Sequence, residues 1–176
     1  MISVTGSPAI ATERLTLRMP AARDWEAVAG YLTSDRARFT GGRLTRELAW
    51  RSFGHMVGHW VLRGYGMFFF TRRGSDEALG MAGPWFPEGW PEPELGWTVF
   101  SDAGEGQGFA REAAEAARRH AFQNLGWKTA VSYIHPHNAR SIALAERLGA
   151  VRDAGAAFPG DGPTLVFRHT GPEARA

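Results

Sequence analysis

The chain has 176 residues, 44% hydrophobic and 22% charged, with seven tryptophans and a formal charge of +2. That balance suits one packed domain and excludes extended disorder. With no cysteine, the chain has no disulfide, thiolate metal site or cysteine nucleophile. Lys128 is the only lysine, and the arginines are scattered along the chain. Arginine favours phosphate, but a scattered set marks no basic stripe, so no nucleic-acid partner is expected. There is no basic region followed by an apolar run, as in a secretory leader, and no apolar stretch nears the ~20 residues of a membrane helix. The expected compartment is the cytoplasm, with no membrane partner.

Residues 1–11 read as a loose N-terminal tail, 12–169 as one domain, and 170–176 as a C-terminal tail. Leu15, Leu17 and Met19 alternate with polar residues and predict a half-buried strand up to Pro20. Trp25, Val28, Ala29 and Leu32 are spaced for a short helix, followed by a loop that breaks at Gly41-Gly42. Thr45 is placed to cap a second helix whose buried stripe is predicted as Leu48, Phe53, Met56, Val57 and Trp60. His55 and His59 lie one turn apart on it with no acidic residue completing a zinc motif, and read as surface or half-buried residues; no metal is expected.

Strands are predicted over 65–71 and 77–84 across a turn at Gly74. Residues 85–93 hold three prolines and a glycine and read as a rigid loop. Leu95, Trp97 and Val99 alternate in a strand over 94–100. A glycine-rich turn, a long helix over 107–125 stopped by Gly126, and a strand over 128–134 come next. A helix over 138–148 capped by Gly149 and two short strands near 151–154 and 164–168 finish the chain. Alternating strands and helices imply an α/β domain with a mixed sheet.

The chemistry concentrates after the strand over 94–100. Gly104, Gly106 and Gly108 stand at alternate positions just before a long helix, leaving a run of backbone N–H groups uncovered at the positive end of its dipole. Such a turn suits a phosphate. It does not fit the dinucleotide fingerprint, whose third glycine is due at Phe109, nor the Walker loop, since no Gly-Lys-Ser/Thr follows. On the glycines alone an ordinary connection entering a helix fits equally well.

Five segments occur together: Thr12-Glu13-Arg14-Leu15 with Leu17-Arg18, Leu79 to Gly83, Leu95-Gly96-Trp97, Gly106 to Ala110, and His135-Pro136-His137-Asn138-Ala139-Arg140-Ser141. In this order the chain resembles the GCN5-related N-acetyltransferases (GNAT), and within them the branch similar to the ribosomal-protein N-terminal (RimJ/RimL-like) acetyltransferases. The resemblance implies a mostly antiparallel sheet of six to seven strands with a splay between the fourth and fifth, flanked by about four helices. It implies acetyl-CoA as acetyl donor, with its pantetheine arm against Trp97, Thr98 and Val99. Glu105, Gly106, Gln107, Gly108, Phe109 and Ala110 would cradle the pyrophosphate. Asn138 would bond the pantetheine region and Ser141 would face the thioester sulfur. His135 and His137 read as packing and turn residues.

There are two departures. Glu105 replaces the Gln or Arg usual there and puts a carboxylate beside a pyrophosphate. Ala145 stands where many relatives carry a tyrosine acid, and Ser141 is the suggested substitute. Its other reading is a capping or solvent serine. Glu94 is the candidate base, acting through water; its other reading is a solvated strand-end carboxylate. Phe39, Trp85 and Trp90 are candidates for the acceptor wall, as against a satellite core or dimer contact, with Arg38 and Phe86 beside them. The expected activity is transfer of acetyl to a primary amine, on a small molecule or a protein N-terminus, by direct attack in a ternary complex. The alternative is an acyl-CoA-binding module with little catalysis. A homodimer is a further expectation.

Overall fold

The structure, a computed structural model, describes residues 8–171. The strands are β1 (Ile10–Ala11), β2 (Leu15–Arg18), β3 (Phe68–Arg72), β4 (Gly80–Trp85), β5 (Glu94–Val99), β6 (Thr129–Ile134), β7 (Val151–Arg152) and β8 (Leu165–Thr170). The helices are α1 (Trp25–Leu32), α2 (Arg46–Arg63), α3 (Phe109–Gln123) and α4 (Ala139–Arg147), with a short 3-10 helix at Asp35–Phe39 before α2. All strands join one sheet in the order β1-β2-β3-β4-β5-β6-β8-β7, antiparallel except for the parallel pair β5–β6.

Helices cover both faces of the sheet, so its central strands are apolar on both sides. Phe68 and Phe70 pack with the alanines of α3, and Phe69 packs on the opposite face with Val28 and Leu32 of α1 and Phe53 of α2. The small side chains Ala113, Ala116 and Ala117 are almost fully buried and let α3 lie close against the strands.

The eighth strand, β1, lies inside the stretch read as a loose tail: Ile10 and Ala11 pair with Leu17 and Thr16. At the other end β8 runs to Thr170. The rest of the two expected tails, residues 1–7 and 172–176, lies outside the described residues.

Thr45 caps α2 by accepting the Leu48 N–H at 3.3 Å, and Gly64 closes the helix in the left-handed conformation. The buried stripe differs from the expected one. Ala49, Phe53, Met56 and Trp60 follow the four-three-four spacing of one face, and Leu48, one residue (about 100°) off it, is exposed. His59 is a second correction, for it is buried rather than superficial or half-buried. Helix α3 starts at Phe109 instead of 107, because Gly108 sits at φ 77° and cannot be helical. Strand β3 starts at Phe68 because the Trp60 indole takes the Met67 carbonyl at 3.0 Å, before the ladder to β4 begins.

Candidate active site

β5 and β6 touch only at one end. Glu94 and Val131 are their single register pair, and the Val131 N–H reaches the Pro93 carbonyl at 2.9 Å. Beyond that point the strands part. Each keeps its other neighbour, β4 along six residues of β5 and β8 along all of β6. The facing edges of 96–99 and 132–134 therefore form a slot in which an extended chain can bond as a strand would.

The apex of the slot is closed by side chains that the sequence did not single out. Ser132 Oγ donates to the Leu95 carbonyl at 2.6 Å and lies 2.9 Å from His169 Nε2. A serine has one hydrogen, so Nε2 must carry the proton of that second bond. The His169 Nδ1 is buried without a partner and burial pushes the imidazole down to about 4, so His169 is neutral with its proton on Nε2. Ser132→Ala would leave both Leu95 O and His169 Nε2 without a partner. Its expected cost is about 1–3 kcal/mol of unfolding free energy, measured by urea denaturation.

At the open end lies the glycine turn. Gly106 and Gly108 have φ of 68° and 77°, and Gly108 leads into α3 with no side-chain cap on the first N–H groups. Arg14 braces the turn: its Nη1 donates to the Gln107 carbonyl at 2.9 Å and its Nε to Glu112 at 2.7 Å. Glu105 does not point its charge at the turn unpaired. Arg36 and Arg140 both bond its carboxylate, the second at 2.7 Å. Burial pushes this carboxyl up, but the two guanidiniums outweigh it and hold it below the usual range.

The slot has two different faces. Trp97 and Val99 face α3 and α4, whereas Glu94, Gly96 and Thr98 face the side of α1 and α2. On the α4 side, Asn138 caps the helix by accepting the Ser141 N–H at 3.3 Å, and Ser141 Oγ accepts the Trp97 indole N–H at 3.3 Å. Ser141 is therefore not the helix cap. Ala145 is fully buried beside Ile134 and Phe167.

On the opposite face the Glu94 carboxylate accepts the Trp90 indole N–H at 2.7 Å. A Cβ at Gly96 would stand 3.6 Å from Glu94 Oε1, so the carboxylate lies alongside the glycine. Burial pushes this carboxyl up to about 7, against the smaller opposing effect of the indole. Tyr133 flanks it from β6, two residues beyond Val131 on the same face. The Tyr133 hydroxyl is buried and makes no hydrogen bond of normal geometry, although the Glu92 amide lies near it.

Trp85 pairs in register with Glu94 and stacks on His59 at 4.4 Å. His59 Nε2 in turn accepts the Phe86 N–H at 3.0 Å, and its Nδ1 lies 2.7 Å from the Tyr65 carbonyl, so the imidazole pins the loop after β4 to α2. Phe39 carries Arg38 on its ring and meets His135 beyond β6 at 5.2 Å. The fold thus brings Trp90 and Trp85 to Glu94, and Trp97 and Asn138 to Ser141, while Phe39 sits at the far end of β6. Arg36, Arg140, Arg14, Ser132, His169 and Tyr133 were missed as site residues. Only Arg14 and Arg140 had a signal, since they lie inside the segments Thr12 to Leu15 and His135 to Ser141.

A mixed sheet splayed at its one parallel pair, with a glycine turn and helix at the mouth, is the architecture of an acyl-CoA-dependent acetyltransferase. Residues 14–151 match the family model described as acetyltransferase (GNAT) domain, and the chain belongs to this family. It is similar to the crystal structure of the acetyltransferase from Agrobacterium tumefaciens str. C58, with 36% identity, a TM-score of 0.88 and 97% of each chain covered. A protein described as a GNAT-family acetyltransferase from Bordetella pertussis matches at 30% identity and TM-score 0.76, over 93% of this chain and 99% of that one. RimL, a ribosomal L7/L12 alpha-N-protein acetyltransferase solved with coenzyme A, shares the fold at 16% identity and TM-score 0.73, over 93% and 98% of the two chains. The chain is an acyl-CoA-dependent N-acetyltransferase, in a family that uses acetyl-CoA and acts on amines. Among the described residues no helix is long and apolar enough to cross a membrane.

Proposed function

We propose that the chain transfers acetyl from acetyl-CoA directly to a primary amine in a ternary complex, the donor entering from the α4 side of the slot and the acceptor from the Glu94 side. The observation that carries this reading is the single β5–β6 register pair, with Glu94 on one face and Ser141 on the other. The pantetheine arm bonds the bared edge at Trp97, Thr98 and Val99, and the pyrophosphate takes the amides of 105–110. A β5 amide polarises the thioester carbonyl. Glu94 removes the ammonium proton, directly or through water, and the amine nitrogen attacks the carbonyl carbon. The C–S bond then breaks with its electron pair on sulfur, and the Ser141 hydroxyl donates a hydrogen bond to the departing thiolate. The second proton of the attacking nitrogen passes to that sulfur, leaving the neutral amide and the CoA thiol.

A carboxyl near 7 suits this base, being about half ionised at neutral pH yet a stronger base than an ordinary carboxylate. Trp85, Trp90 and Phe39 form the acceptor wall in this reading. The acceptor is a small-molecule amine or a protein N-terminus, the second on the analogy of RimL and its ribosomal L7/L12 alpha-N activity. The compartment is the cytoplasm. Support for a homodimer lies in α2, where Trp50, Val61 and Leu62 are exposed.

The test is thiol release from acetyl-CoA over a panel of amines and N-terminal peptides, beside a coenzyme titration. Turnover with at least one acceptor is expected; saturable coenzyme binding with none across the panel would leave only a binding module. Glu105→Gln would remove the carboxylate charge beside the phosphates and release Arg140 toward them, while Arg36 keeps its bond to Asp102. The expected result is tighter CoA binding, by up to about tenfold at low salt, with the gain shrinking as salt rises. Calorimetry at two ionic strengths reads it, and unchanged or weaker binding in both would contradict it.

A further inference from the structure

We infer that Trp97 is a positioning residue whose indole N–H directs the hydroxyl proton of Ser141 toward the coenzyme sulfur. The inference rests on the proposed role of Ser141 and adds the group that makes the hydroxyl competent for it.

An indole N–H can only donate, so at 3.3 Å from Ser141 Oγ it obliges that oxygen to accept. The hydroxyl's own proton is then the group left to be given away. A serine inside a helix ordinarily gives this proton to the carbonyl one turn back, and there it would be lost to the leaving group. Among the described residues Ser141 Oγ bonds no helix carbonyl, and Trp97 is its partner. The neighbouring bond reinforces this arrangement. Asn138 holds the Ser141 N–H from the cap position, which fixes the first turn of α4 and with it the direction of the Ser141 Cα–Cβ bond.

The indole itself has little freedom. Its ring packs against the clusters that contain Leu144 and Leu148 on one side and Ile134, Ala145 and Phe167 on the other. It also stands edge-on to the buried ring of His169, with centroids 6.3 Å apart and planes at 86°. That contact ties Trp97 to the hydrogen bonds that close the slot, since His169 bonds Ser132, whose hydroxyl holds the Leu95 carbonyl two residues before Trp97. One residue thus lends its backbone to the pantetheine edge and its side chain to the group opposite.

The experiment is a double-mutant cycle of W97F and S141A, read as kcat, KM for acetyl-CoA and Kd for CoA. A neutral hydrogen bond of this kind leads us to expect a loss of about 3- to 10-fold in kcat for W97F, with KM and Kd changed less than about twofold. In the S141A background the same replacement is expected to change kcat no further. Equal losses in both backgrounds, or full kcat in W97F, would overturn the inference. Because phenylalanine also leaves space in the packing, a second variant carries the benzothienyl analogue of tryptophan at 97, which keeps the ring shape and lacks the N–H. Wild-type kcat in that variant would assign Trp97 a packing role and defeat the proposal; a W97F-like loss supports it. If S141A itself kept full kcat, the role given to Ser141 would fail. A loss in S141A with none at position 97 sinks only the present inference.

Discussion

Valine at both Gly106 and Gly108 is expected to weaken CoA binding by at least about 100-fold while the fold survives. Both glycines lie in the left-handed region, at φ 68° and 77°. An L-residue there costs roughly 1–2 kcal/mol, and a β-branched one more, so the turn would rebuild and its amides would no longer converge. The two sites differ in surroundings. No atom lies within 4 Å of a Cβ built at Gly106, whereas one at Gly108 stands 3.4 Å from the Arg14 guanidinium that braces the turn. Backbone strain acts at both, and at the second the new side chain also comes into van der Waals contact with that guanidinium. Calorimetry with CoA beside a thermal melt separates lost binding from lost folding. Undiminished affinity in the double variant would mean that these amides do not hold the pyrophosphate.

Glu94→Gln is expected to lower kcat by about 10²- to 10⁴-fold, the range of a positioned general base. The wild-type rate should rise with pH through about 7, because the carboxylate is the active form. That limb should vanish in the variant. Trp90→Phe removes the N–H bond that favours the carboxylate, so the limb should move to higher pH. Stability should change in the opposite sense to rate. Burial raises the folded carboxyl above its ordinary 4.5, so the native state holds this proton more firmly than the unfolded chain. Stability is therefore lost as pH rises from about 4.5 to about 7, by roughly 1–3 kcal/mol. The glutamine side chain of Glu94→Gln has no charge to bury, and that variant should melt higher than the parent at pH 8. A variant with unchanged kcat and the same pH limb would remove Glu94 from the chemistry.

Most of the local structure was legible because its causes are local. Thr45 caps its helix by accepting the N–H three residues on, and Gly64, Gly126 and Gly149 end helices with positive φ, whereas the cap of α4 falls to Asn138 and not to Ser141. The splay between the strand of Glu94 and that of Val131 was expected from the resemblance, and the single register pair between them carries it. The misjudged positions are those where a neighbour distant in sequence decides. Leu48 is apolar enough for a core but points off the buried face, and His59 is polar yet buried because Phe86 N–H and Tyr65 O meet its two ring nitrogens.

Glu105 is the plainest case. Beside three glycines its carboxylate reads as a burden on an anion site, and nothing nearby in the chain announces Arg36, 69 residues earlier. Ser132 and His169 are 37 residues apart, and Trp97 and Ser141 are 44 apart. The amino-acid order by itself determined most helix ends, the faces of the strands and the glycine turn, since each depends on backbone preferences within a few residues. Only the folded sheet decided which side chains meet across the slot. Those meetings depend on β6 lying parallel to β5 and on β8 closing behind it, and strand pairings of that range are settled by the packing of the whole core.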